Sequence, residues 1–426
     1  MNDEQGNPRV LYIAYWGAAE PLGQSLVLPA VKKLADYGAK LTLVTFEKPG
    51  DLRGEAVPQI RASLIEHEVR WIPLQYHKRP KVPATGFDFV HGVTRSILAA
   101  LAERPDIIHS RTFIGGLMGR ALARVIGARL IYHNEGFYPD EQVDAGVWRA
   151  GSAQHRIAKR LEEKLYSRAD AIIALSDRAK AVIEEIPAVR RKGTTVIKVP
   201  SCVDLDQFKG ERRVYDASND ALRFVYSGSI GGRYLFDRAV RFVRIASELF
   251  GGIHLRVLTP ADPRMVGSVL SASGLPKQSW SIDRVGREDM PAELLRQDVG
   301  LNFLHQGLSE HGCSPTKIGE YWAAGLPVVC TANVSDTDEI IRRERVGVIV
   351  DKHSDDGYGR GVEELRELLL DADLSLRCRK AAENHYALGP ACERQFALYQ
   401  ELASSRRPLA ARARVAESGE SRVNIS

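Results

Sequence analysis

Cysteine is scarce in this sequence, with five among 426 residues, at Cys202, Cys313, Cys330, Cys378 and Cys392. They form no C-x-x-C pair and no metal-ligand spacing, which excludes a zinc module and a disulfide framework. A reducing compartment, the cytoplasm, is the expectation. The opening "MNDEQGNPRVLYIAYWG" lacks a basic segment followed by an apolar one, so no signal peptide is expected. No run reaches the roughly 18 uncharged apolar residues that a membrane helix needs. Neither sign of charge is in marked excess: the net value is +5, a solvated surface mildly suited to anionic ligands. G-x-G-x-x-G is absent, which removes the dinucleotide fingerprint. No short internal repeat occurs, and no Asp-x-Asp stands where it would bind a metal.

What is present is alternation. The chain is 44% hydrophobic and 27% charged, the composition of a globular protein, and its length suits two domains. Short apolar runs such as "RVLYIAYW", "AKLTLVTFE", "PDIIHSR", "ARLIYHNEG" and "DAIIALS" alternate with amphipathic stretches such as "LGQSLVLPAVKKLADYG" and "HRIAKRLEEKLYSRA". Buried strands alternating with helices give a parallel sheet covered on both faces, the doubly wound α/β class. The pattern lapses into "SCVDLDQFKGERRVYDAS", read as a linker, and restarts with "LRFVYSGSIGG", "IHLRVLTP", "DVGLNFL", "LPVVCTA" and "VGVIVD". Two Rossmann-like domains with a cleft between them are expected. They span 1–205 and 206–385, with a C-terminal helix over 386–403 crossing back to the first and a basic, disordered tail over 404–426.

One stretch concentrates chemistry: "SPTKIGEYWAAGLPVV", Ser314 to Val329. Pro315 suits a first helical position and Ser314 an N-cap. The free amides that follow carry partial positive charge, which makes the helix start an anion site. Thr316 adds a hydroxyl and Lys317 a full charge, while Glu320, one turn on, can accept from two sugar hydroxyls. As plain structure, the same residues make a capped helix with an exposed Lys317–Glu320 pair.

This stretch resembles the donor-site helix of retaining glycosyltransferases of the GT-B fold, family 4. Their signature is a helical carboxylate followed by small residues and Gly-x-Pro, here "GEYWAAGLPVV". Glu320 matches the second glutamate of the family's Glu-x7-Glu motif, which binds the donor ribose. The first would fall at Gly312, so what holds the transferred sugar is left open. Glu310 and His311 are near but out of register. A subset of the family carries Ser-Pro-Thr-Lys, and there Lys317 would contact the diphosphate.

The resemblance runs over residues 9 to 400. It implies that the glycine turn "VYSGSIGGRY" lies against the phosphates, through Gly228, Gly231 and Gly232, with Ser229 where the family has an arginine and Arg233 near its lysine position. "DRVGREDMPAELL" matches the segment that meets the base, at Val285, Gly286 and Arg287. In the first domain, "YWGAAEPLGQS" matches the loop under the donor, with Trp16 and Gly17 on the acceptor side and Gly23 opening the helix. His133 falls where the family places a histidine directed at the sugar. "NEGFYPDE" offers Glu135, Asp140 and Glu141 as acceptor-side carboxylates, and His109 and Arg111 end the preceding strand.

The resemblance implies transfer from a UDP- or GDP-sugar to a glycan, lipid-linked or small hydroxyl acceptor, with retention by front-face attack. No cofactor and no metal would be required. The expected partners are the nucleotide sugar and the acceptor, with no nucleic acid and at most a weak peripheral contact with the inner face of a membrane. Two other readings stay open. A sugar-nucleotide epimerase has the same two-domain shape, and a degenerate binding or scaffold protein would explain the missing first glutamate and the missing Arg/Lys pair.

Overall fold

The computed structural model describes residues 7–216 and 220–405. The chain divides into two compact units: 1–139 with 148–199 and 389–426, and 140–147 with 200–388. The division falls at 199/200 in place of 205/206, and a short excursion, Asp140–Val147, groups with the second unit. The last two helices are Leu374–Tyr386 and Leu388–Ser404; the latter groups with the first unit. The expected tail lies, from residue 406 on, outside the described residues.

The first unit is built on seven strands: β1 Arg9–Ala14, β2 Lys40–Glu47, β3 Arg70–Gln75, β4 Ile107–Arg111, β5 Arg129–His133, β6 Ala171–Ala174 and β7 Thr195–Lys198. Their order is β3-β2-β1-β4-β5-β6-β7. The second unit has β8 Leu222–Ser227, β9 Ile253–Leu258, β10 Trp280–Asp283, β11 Val299–Asn302, β12 Val328–Thr331 and β13 Gly347–Val350, in the order β10-β9-β8-β11-β12-β13. Every pairing in both sheets is parallel. Parallel strands carry helices on both faces, so each reads as a nearly continuous apolar run. In β8 only Arg223 is not buried, and β4, β6, β11 and β12 are buried throughout.

In each sheet the strand order reverses between two neighbours, β1 and β4 in one and β8 and β11 in the other. Doubly wound sheets bind ligands beyond the carboxyl ends of the strands at that reversal. Those ends carry Tyr15–Gly17 after β1, Arg111 closing β4, His133 closing β5, Gly228 after β8 and Asn302 closing β11.

Two strands had no clear sequence signal, and both are sheet edges. β3 contains Pro73, which removes a donor and is tolerated where one side of the strand is unpaired. β10 is four residues long and half polar. The 23-residue helix Lys81–Glu103 also escaped, because Gly86 and Gly92 depress helix propensity. Gly92 is required there: a Cβ would come within 2.6 Å of the Phe46 ring and 3.1 Å of the Met118 sulfur. Among the described residues no helix is long and apolar enough to cross a membrane.

Candidate functional site

In the second unit, the helix Thr316–Ala323 starts one residue later than expected. Pro315 is its N-cap, with φ −66° and ψ 111°, and no side chain caps it. Ser314 is therefore not the N-cap. Its Oγ instead accepts from the Ser201 amide at 3.1 Å, which ties the helix start to the segment following β7.

Lys317 is not exposed. It retains 7% of its surface, and among the described residues its Nζ has no hydrogen-bond partner. The ammonium lies 4.5 Å from the Tyr226 ring centroid and 4.2 Å from that of Tyr234. Burial lowers its pKa to about 7, against a smaller opposing attraction from Glu320. The lysine rests beside the glycine turn: a Cβ on Gly228, whose φ is +101°, would lie 3.4 Å from Nζ.

Backbone bonds hold that turn over the end of β11. Leu235 N–H donates to Phe303 O at 3.0 Å and His305 N–H to Arg233 O at 2.9 Å. The Tyr226 hydroxyl donates to Ser229 O at 2.8 Å. Ser229, Gly231 and Gly232 are exposed, and both glycines have positive φ.

The carboxylate of Glu320 is occupied by Arg287, which donates to it through Nη1. It does not pair with Lys317, and Val285 and Gly286 precede its actual partner. Arg233 is engaged as well: its Nη2 lies 3.1 Å from Glu141 Oε1. Glu141 and Asp140, expected on the first domain, therefore belong with the second unit, where Glu141 neutralises the arginine expected to grip phosphate. The excursion is anchored again at Asp144, whose carboxylate accepts from the Ser309 amide at 3.4 Å. Asn302, at the end of β11, is fully buried, with neither its Oδ1 nor its Nδ2 hydrogen-bonded among the described residues.

In the first unit the strand ends bring Trp16, His109, Arg111, His133 and Glu135 together. Arg111 is 3% exposed. It donates through Nε to Glu135 and through Nη1 to the Tyr12 hydroxyl, and its guanidinium sits 5.6 Å from the Trp16 ring centroid. Burial raises the pKa of Glu135, partly countered by Arg111. Burial and Arg111 hold both histidines well below their usual pKa, hence neutral. His109 Nε2 is 3.1 Å from His133 Nδ1, and His109 Nδ1 is 2.6 Å from the Tyr399 hydroxyl.

Gly17, in the loop after β1, and Gly23, where that loop meets the next helix, are buried. A Cβ on Gly23 would come 2.0 Å from Gly17 O and 2.8 Å from Ala18 Cα, and backbone cannot yield as a flexible side chain can. The loop is held from below by Glu47, fully buried, which accepts from the Ala18 and Ala19 amides at 2.6 and 3.1 Å and from Thr45 Oγ1 at 2.5 Å. Gly23→Ala is expected to lower stability by about 1–3 kcal/mol through overpacking, read as a lower urea midpoint at unchanged slope.

Glu47, Tyr12, Tyr226, Tyr234 and Tyr399 were not singled out in the sequence. Glu47 alone left a trace, as a carboxylate closing the apolar run "LTLVTFE". Among the described residues no group of three or more His, Cys, Asp or Glu side chains is arranged for a metal ion.

Residues 25–200 match the family "Glycosyl transferase 4-like domain". No curated protein matches the chain in sequence. Solved structures do match in fold. Sucrose-phosphate synthase from Thermosynechococcus elongatus superposes with a TM-score of 0.70 at 15% identity, over 94% of this chain and 100% of that one. HepE of Anabaena in complex with UDP gives 0.63 at 11%, over 93% and 100%. A putative UDP-N-acetylglucosamine 2-epimerase from Listeria monocytogenes gives 0.61 at 14%, over 95% and 99%. Such identities establish the shared fold alone. With two doubly wound units of matching strand order, the chain has the GT-B fold, and its residues 25–200 match a glycosyl transferase 4-like domain.

Proposed function

We propose that the protein is a retaining glycosyltransferase that moves a sugar from a nucleoside-diphosphate sugar to a hydroxyl of a glycan, a lipid-linked glycan or a small acceptor. The observation that carries the reading is Lys317, a buried ammonium without a hydrogen-bond partner among the described residues, in the first turn of a helix and beside a glycine turn. A buried charge left unpaired costs stability, and a diphosphate is a ligand that would pair it. The UDP and UDP-glucose complexes of HepE, a neighbour in fold, agree with such a ligand.

In this reading the amides of Thr316 and Lys317 and the Lys317 ammonium take the diphosphate. Glu320, oriented by Arg287, takes the ribose hydroxyls, and Val285–Gly286 meets the base. As the bond from the anomeric carbon to the phosphate oxygen breaks, its electron pair goes to the phosphate. Fixed donors around that oxygen stabilise the developing charge. Each such donor contributes about 2.7–4 kcal/mol when removal is tested in other enzymes. The acceptor oxygen attacks the same face that the phosphate leaves and passes its proton to the departing phosphate oxygen. Trp16, Arg111 and Glu135 serve the acceptor, and His133 the sugar. The five buried cysteines suit a reducing compartment.

The test is a panel of nucleotide sugars offered with hydroxyl acceptors, followed by proton NMR. Release of nucleoside diphosphate with the anomeric configuration kept is the expected result. An inverted anomer would overturn retention. A sugar epimerised at C2 without an acceptor would identify an epimerase, and no turnover of any donor would favour a degenerate binding protein.

A further inference from the structure

Beneath His133 lies a row of buried polar groups that the proposed reaction does not use. It begins on the helix Leu388–Ser404, where Gln395 Nε2 donates to the Tyr399 hydroxyl at 3.1 Å. Tyr399 Oη is 2.6 Å from His109 Nδ1, and His109 Nε2 is 3.1 Å from His133 Nδ1. His133 Nε2 has no hydrogen-bond partner among the described residues and lies 3.5 Å from Glu135 Oε1. Gln395, Tyr399, His109 and His133 are each no more than 2% exposed. Tyr12 stacks on His109 with ring centroids 4.2 Å apart, closing the row from the side.

Protons in such a row have a direction, and its two ends fix it. An amide nitrogen only donates, and an ionised carboxylate only accepts. Glu135 is held as an acceptor by Arg111. Between the ends stand three groups, a phenol and two neutral imidazoles, each with one hydrogen to give along the row. Since Gln395 donates to Tyr399, the phenol hydrogen points to His109 Nδ1. The hydrogen of neutral His109 is then on Nε2 and points to His133 Nδ1, so the hydrogen of neutral His133 is on Nε2. The reverse order would leave the buried Tyr399 hydrogen without an acceptor in the row and set a ring lone pair against a carboxylate at Glu135.

We propose that the C-terminal helix, through Gln395, Tyr399 and His109, fixes His133 in its Nε2–H tautomer, so that His133 meets its ligand as a hydrogen-bond donor and not as a base. Tyr399 and His109 are then positioning residues for a group 266 and 24 positions away in sequence, respectively. Within the proposed transfer, on which this part of the reading rests, the donor is directed at a sugar oxygen. A general base at His133 is excluded, in agreement with the departing phosphate taking the acceptor proton. Both rings stay neutral because burial and the Arg111 charge oppose imidazolium, and the Tyr399 phenol, pushed well above its ordinary pKa by burial, keeps its proton.

The experiment is side-chain nitrogen NMR on the full chain labelled with 15N-histidine, at pH 6 to 8 and without substrate. His109→Gln and His133→Gln assign the two rings. The expected spectrum has both rings neutral, both protonated at Nε2, and neither titrating. An Nδ1–H ring at either position, or titration of either ring within that range, overturns the proposal. Tyr399→Phe removes one hydroxyl and should replace the single tautomer of His133 with a mixture. Gln395→Met, which keeps the size of the side chain and removes its donor, should do the same if the first variant fails to fold. A folded variant of either kind that keeps pure Nε2–H at His133 overturns the part played by the helix. Because no substrate is involved, correct tautomers in a chain that transfers no sugar would contradict the transferase reading and leave this one standing.

Discussion

Lys317→Met is expected to melt at a higher temperature than the parent at pH 6 and to bind nucleoside diphosphates at least roughly a hundredfold more weakly, the loss of about two charge-assisted hydrogen bonds. Both effects come from one fact: the lysine is buried without a hydrogen-bonding partner among the described residues. Its pKa is about 7 in the fold, with burial as the cause, against about 10.4 in an unfolded chain. Below pH 7 both states carry the charge, and the fold bears the full cost of burying it. Between pH 7 and about 10 the unfolded state holds a proton that the folded state lacks, so stability rises with pH across that window. Methionine fills the same space without the charge. Its advantage should therefore be greatest below pH 7 and should vanish toward pH 10. The Tyr226 and Tyr234 rings offset part of the cost, about 0.5–1 kcal/mol per cation–π contact at ordinary sites, which leaves a gain of about 1–3 kcal/mol at pH 6. Thermal unfolding at pH 6 and pH 9 checks the sign and its loss. A variant less stable than the parent at pH 6 would show that the lysine is structurally paired after all.

Nucleotide binding by the parent should take up a proton. At pH 8 most of the Lys317 amine is neutral, and a diphosphate beside it favours the charged form, so its pKa rises on binding. Apparent affinity should then be flat near pH 6.5 and fall by up to about tenfold for each pH unit above 7, until the pKa of the complex is reached. Burial pushes the phenols of Tyr226 and Tyr234 upward, so they keep their protons through this range, and Glu320 faces the amine as a smaller favourable charge. Calorimetric titration at pH 8 in two buffers of different ionisation enthalpy should give an uptake approaching one proton, and close to none at pH 6. Tight binding at pH 8 with no uptake would contradict the assignment of Lys317 to the diphosphate.

The alternation of apolar runs made the two sheets legible because parallel strands are buried on both faces and leave a continuous signature. The edges lacked it: β3 carries Pro73, and β10 is short and half polar. The helix start near Ser314 was legible to within one residue, because Pro315 suits the first positions of a helix. Its state was not. Spacing suggested an exposed Lys317–Glu320 pair, but burial depends on Tyr226 and Tyr234, about 90 residues earlier. Arg287 and Glu141, which engage Glu320 and Arg233, are also remote in sequence. The same holds for Tyr399 against His109, separated by 290 positions. Contacts of this kind leave no local pattern, and Glu47 left only a carboxylate at the end of an apolar strand.

The central claim is that the helix start at Lys317 holds the diphosphate of a nucleotide sugar. It is tested most directly by calorimetric titration of UDP, GDP, ADP and dTDP into the parent and into Lys317→Met at pH 6.5. The expected result is saturable binding of one nucleoside diphosphate to the parent, with its melting temperature raised to match, a gain of about 2.7 kcal/mol at a hundred times the dissociation constant, and loss of that binding in the variant. Binding of no nucleoside diphosphate at millimolar concentration, or equal binding by the parent and Lys317→Met, would contradict it.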